Sequence, residues 1–140
     1  MNGRLLVGLS STALLLGTIA ITAPAAQASA TATCYGSSCT GVEPNGTTCA
    51  NDAITAKQVS SGGRTIQLRY SPSCRAAWGK ITGASVGDWI SVSNSSGAYK
   101  ERRVNSGSDQ HTVMVNDAGI TSYACGFRNE STLLACTGSY

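Results

Sequence analysis

Thr65-Ile66-Gln67-Leu68-Arg69-Tyr70 alternates polar and apolar side chains with a period of two. Successive side chains of a strand point to opposite faces, so Ile66, Leu68 and Tyr70 share one face and Thr65, Gln67 and Arg69 the other. With β-branched and aromatic members, the stretch reads as a half-buried strand. Ser61-Gly62-Gly63 just before it is a turn signal.

Working outward toward the C-terminus, short β-like runs recur over Asp88 to Asn94, Ala98 to Val104, His111 to Val115, Thr121 to Phe127 and Thr132 to Thr137. The connectors between them are rich in Gly, Asn, Asp and Ser, the residues of turns. Regular short strands with such connectors predict an all-β, mainly antiparallel fold, a small barrel or sandwich. Between the first strand and these runs, Ser71-Pro72-Ser73-Cys74-Arg75-Ala76-Ala77-Trp78 offers an N-cap serine, a proline at the first helical position and helix formers behind it. That order predicts one short helical turn, ended by Gly79.

The last two runs imply a register. A hairpin turning at Glu130-Ser131 sets Asn129 opposite Thr132, Phe127 opposite Leu134 and therefore Cys125 opposite Cys136. A disulfide between Cys125 and Cys136 would then cross the two strands.

Upstream, Thr31 to Gln58 is rich in Gly, Ser, Thr, Asn and Cys, turns at Pro44-Asn45-Gly46 and lacks a sustained apolar period. It reads as an irregular lobe held by disulfides. The earliest residues have a different character: Arg4 precedes an uncharged apolar run from Leu5 to Ile21, Pro24 follows, and Ala28-Ser29-Ala30 has the small residues a signal peptidase accepts. Residues 1–30 read as a cleavable secretory signal and not a membrane span. Cleavage is expected near Ala30, with Ala26-Gln27-Ala28 as a second acceptable site. Thr31-Ala32-Thr33 before Cys34 does not read as a lipid-attachment site, so no membrane anchor is expected after cleavage.

Residues 31–140 have the length of a single secreted domain. All six cysteines lie in it: Cys34, Cys39, Cys49, Cys74, Cys125 and Cys136. An even count behind an export signal predicts three disulfides. With Cys125 and Cys136 paired, three pairings of the other four remain, and spacing does not choose among them. Cys34, Cys39 and Cys49 lack the paired short spacings of a zinc site, and His111 is the single histidine; no metal or cofactor is expected.

Without Arg4, nine basic residues face seven acidic ones, a formal charge of +2. Nucleic-acid binding needs a dense basic stripe, whereas Lys100-Glu101-Arg102-Arg103 is the one basic cluster and reads as a solvated strand edge. No nucleic-acid partner is expected. Nor does a catalytic set stand out. His111 has Asp109 nearby but no marked nucleophile, and Glu43, Asp52, Asp88, Glu101, Asp109, Asp117 and Glu130 are scattered, mostly beside turn residues. Oxidised cysteines offer no thiolate. Arg69, Tyr70, Arg75, Trp78 and Trp89 concentrate aromatic and basic character. Tyr70 and Trp78 read first as core, but Arg69, Arg75 and Trp78 are the candidate binding surface.

Cys34 to about Val92 resembles a bacterial family catalogued as domain of unknown function 2690. The resemblance is carried by Cys34-Tyr35-Gly36, Cys39-Thr40-Gly41, Pro44, Cys49-Ala50 with Asp52-Ala53, Leu68-Arg69-Tyr70-Ser71 with Cys74, Ala77-Trp78 and Gly87-Asp88. It implies that the four N-terminal cysteines form one group, with Cys125 and Cys136 an added pair. The family occurs in secreted proteins and attached to larger ones, including helix-turn-helix regulators, as a portable module would. It implies no activity. The expected function is a non-catalytic extracellular module that binds a protein or a cell-envelope component. The alternative is a secreted effector, either a small hydrolase, for which Glu43, Asp52 and His111 would have to converge, or a hydrolase inhibitor presenting a loop such as Asn105 to Gln110.

Overall fold

The computed structural model describes residues 31–140; the signal expected over residues 1–30 lies outside the described residues. The strands are β1 (Ile54–Ser61), β2 (Arg64–Ser71), β3 (Ala76–Thr82), β4 (Trp89–Asn94), β5 (Tyr99–Arg103), β6 (Gln110–His111), β7 (Val115–Asn116), β8 (Ser122–Arg128) and β9 (Thr132–Cys136). One sheet runs β1-β2-β3-β6, with β7 also paired to β3, and the other runs β5-β4-β8-β9. Every pair is antiparallel. Among the described residues no strand pair joins the two sheets, so the architecture is a sandwich and not a closed barrel.

The alternation from Thr65 to Tyr70 sets the core. Ile66, Leu68 and Tyr70 of β2 are buried, with Ala77 and Ile81 of β3, against Ile90 and Val92 of β4 and Ala124 of β8. Fully burying such an aliphatic side chain is worth about 1.5–3 kcal/mol. The sheets approach closely at two glycines. A Cβ on Gly126 of β8 would stand 2.4 Å from Cγ1 of Ile66, and one on Gly79 of β3 would stand 2.8 Å from the Ser91 carbonyl of β4.

At Ser71 to Trp78 the structure corrects the sequence reading. Residues 72–75 form a turn and Ala76 already begins β3, pairing with Ser71. Tertiary contacts decide this over helix propensity. The Asp52 carboxylate accepts hydrogen bonds from Ser71 Oγ at 2.6 Å and from the Ser73 N–H at 2.7 Å, and Cys74 is bonded to Cys49. Arg75, with φ of 49°, takes the left-handed conformation that closes the hairpin. Among the described residues the helical content lies instead in two 3₁₀ turns of the N-terminal lobe, Gly36–Cys39 and Thr48–Ala50. Part of the segment read as irregular, from Ile54 on, is the edge strand β1.

The final hairpin also differs in detail. Its turn spans residues 129–131, with Asn129 at φ 52°, so Arg128 faces Thr132 and Phe127 faces Leu133. An irregularity at Leu134 then absorbs one residue, and Cys125 faces Cys136. These two are bonded, as are Cys34 with Cys39 and Cys49 with Cys74.

Candidate functional site

The lobe, residues 34–53, lies over the outer face of the first sheet. Its two disulfides, with Ala76, Trp78 and Met114, make a second apolar cluster that Val42 and Ala53 flank. Backbone pairing fastens it further: the Gly41 N–H donates to the Met114 carbonyl and the Met114 N–H to the Val42 carbonyl, both at 2.9 Å. Thr47 closes the turn at Pro44 by accepting from the Cys49 N–H at 3.2 Å and donating to the Pro44 carbonyl at 2.6 Å.

Where lobe and sheet meet, a cleft of about 150 Å³ opens. Asn45, Ala50 and Ala53 line it from the lobe, and Arg69, Trp78, Lys80 and His111 from the sheet. Strand register explains the second set. Arg69 of β2 pairs with Trp78 of β3, and Lys80, two residues further on the same face, pairs with His111 of β6. Arg69 is fixed from behind, its guanidinium donating to Thr55 Oγ1 and, at 3.1 Å, to the Ala53 carbonyl.

Glu43 ties this seam to both sheets. Its carboxylate accepts from Nη1 of Arg102 on β5 at 2.8 Å and from Nε2 of His111. Burial raises its pKa, but the hydrogen bonds and charges of Arg102 and His111 outweigh that and hold it below the usual carboxylate range. A carboxylate that orients an imidazole is one part of an acid–base apparatus; among the described residues, none of the cleft-lining side chains is a hydroxyl or thiol nucleophile.

Of the surface proposed from sequence, Arg69 and Trp78 line the cleft, and Trp78 is otherwise buried as core. Arg75 does not; it sits in the β2–β3 turn, its Nε buried without a hydrogen-bond partner among the described residues. Trp89 belongs to the other sheet, stacked on Phe127 with ring centroids 3.7 Å apart. Glu43 and His111 converge across 68 residues of sequence, while Asp52 is spent on the β2–β3 turn. Residues 105–109 form an exposed loop. Sequence reasoning missed Lys80 and Arg102. Lys80 sits on a strand that went unrecognised, and Arg102 reads as an edge charge until Glu43 is placed beside it.

The sulfurs of Cys34, Cys39, Cys49 and Cys74 all lie within 4.8 Å of one another. As two disulfides they are not thiolates, the form in which cysteine binds zinc.

No curated protein and no solved structure matches the chain. The model of one family does, described as "Protein of unknown function (DUF2690)", over residues 37–125. The match takes in every residue that lines the cleft, together with Glu43 and Arg102, and leaves out Cys34 and β9. It covers well over half of the sequence, and the chain belongs to this DUF2690 family of proteins of unknown function.

Proposed function

We propose that the mature chain is an extracellular module that binds, without transforming it, a protein or a component of the cell envelope, and that it does so at the cleft between lobe and sheet. One observation carries the reading: Arg69 and the lobe wall of the cleft are held in place before any ligand arrives. Arg69 is fixed through Thr55 and Ala53, and the lobe wall is fixed through disulfides and backbone pairing. A wall fixed in advance lowers the entropy cost of binding. The secretory signal read from the sequence of residues 1–30 and the disulfides are consistent with that compartment.

The test is sedimentation of purified oxidised protein with envelopes of the producing culture, alongside capture of proteins from its medium. Saturable binding that falls when Lys80 becomes Gln is expected. Failure to bind either, with turnover of a substrate in a broad hydrolase screen, sinks the reading.

A second reading, a small secreted hydrolase, is favoured by the Glu43–His111 pair at the cleft. It requires water as the nucleophile, activated by the imidazole. His111→Gln should then abolish a turnover that the wild type shows.

A further inference from the structure

We infer that the cleft is built for a phosphoryl group carrying two negative charges, as on a phosphate monoester. The inference rests on the binding-module reading above and names its ligand chemistry. Arg69 and Lys80 stand at diagonal positions of adjacent strands on one face, a separation that long side chains span. Neither has an acidic partner among the described residues, where Asp88 is taken by Arg64 and Glu43 by Arg102 and the His111 ring. The one acid at the seam, Glu43, has both oxygens engaged by Arg102 and His111, so it does not neutralise them. Asp52, the other acid of the lobe, is turned to Ser71 and Ser73.

Two unpaired cations held side by side repel each other, and an anion between them relieves the repulsion. A monoester, with roughly −1.5 to −2 charge at pH 7, matches two cations where a carboxylate matches one. Arg69 spends one N–H on Thr55 and one on Ala53, leaving three of the five a guanidinium carries for oxygens in the cleft. The volume of about 150 Å³ admits a phosphoryl group with a water or two, since a water occupies about 30 Å³ in the liquid. Ala50, Ala53 and Trp78 form an apolar wall for the group that bears it.

Calorimetric titration of the oxidised protein at pH 7.5 and low ionic strength with phenyl phosphate, dimethyl phosphate and acetate tests this. Phenyl phosphate is expected to bind saturably and at least fivefold more tightly than the singly charged dimethyl phosphate or acetate. Lys80→Gln should weaken it about tenfold, while Lys57→Gln, outside the cleft, leaves it unchanged. Equal affinity for acetate, absence of saturation, or indifference to Lys80→Gln overturns the inference. If the protein binds envelopes and Lys80→Gln does not weaken phenyl phosphate, the phosphoryl assignment fails and the module reading stands. If phenyl phosphate binds as expected and no envelope or protein does, the module reading fails alone.

Discussion

At Asp117 a carboxyl is buried and accepts a hydrogen bond from Ser122 Oγ at 2.8 Å. Burial is the largest influence on it and pushes its pKa up to about 6, against the opposing effects of Ser122 and the Arg75 charge. The folded state therefore holds this proton more tightly than the unfolded chain, so the contribution is full below about pH 4 and is lost as the pH rises through about 6. Asp88 behaves in the opposite sense. Burial raises its pKa, but the Ser85 N–H at 2.8 Å and the Arg64 guanidinium at 2.9 Å win, and it lies below the usual range. Its contribution is present above about pH 4 and fades as the pH falls through the lowered value. Urea unfolding against pH should accordingly show loss of stability on the acid side from Asp88, Asp52 and Glu43, and a separate decline between pH 4 and 6. Asp117→Asn, which keeps an acceptor for Ser122, should remove that decline and raise stability at pH 8 by about 2–3 kcal/mol, roughly the worth of a shift of two pKa units. A variant with the wild-type slope would contradict the assignment. Single residues were the least legible level in the sequence: Glu43 and His111 could be named as candidates, but only the packed lobe brings them together.

Strands were legible where polar and apolar residues alternate or a short apolar run stands between turn residues. β2, β4, β8 and β9 keep an alternation or a short apolar run between turn residues, and their expected spans differ from the observed ones by a residue or so. β3 was hidden for a physical reason: Ala76, Ala77, Trp78 and Gly79 are all buried, because the lobe covers one face and the second sheet the other. A strand covered on both faces loses the polar alternation that reveals strands, and small residues in a row read as helix formers. β1 was hidden by a bulge between Thr55 and Lys57 that breaks its period. Small residues in β3 and β8 also set the spacing of the sheets. Gly126→Ala would drive a Cβ into Ile66 and should cost about 1–3 kcal/mol in urea unfolding, the usual price of overpacking. Gly138→Ala, whose Cβ would meet nothing nearer than Lys57 Cδ at 3.9 Å, should cost far less. Equal costs at the two glycines would show that the sheets do not rely on close approach at Gly126.

For the molecule as a whole, one disulfide lies within the lobe, one ties the lobe to the sheet and one crosses the last hairpin. The bridge from Cys49 to Cys74 closes 25 residues and joins the lobe to the β2–β3 turn; in the chain-entropy view it is worth about 3.5 kcal/mol, against about 2 kcal/mol for Cys34–Cys39. A Cys49→Ala, Cys74→Ala double variant should lose stability by about that larger amount and exchange amide hydrogens over residues 34–53 before those of β4 and β8. Loss of protection in both regions together would mean that lobe and sandwich unfold as one. If the chain is exported as proposed, the protein recovered from the medium and alkylated without reduction should start near Thr31, lack six hydrogens and take up no label. Retention of residues 1–30, or two or more labelled cysteines, would contradict the exported, three-bridge form. On the reading proposed above, the cleft between lobe and sheet is where this protein meets its ligand. That placement is tested most directly by an amide shift map of the oxidised protein during titration with soluble envelope extract from the producing culture. Saturable shifts are expected, concentrated at Ala50, Ala53, Trp78, Lys80 and His111, with the exposed loop of residues 105–109 unmoved. Shifts confined to that loop or to the outer face of β4 and β8, with the cleft residues still, would contradict it.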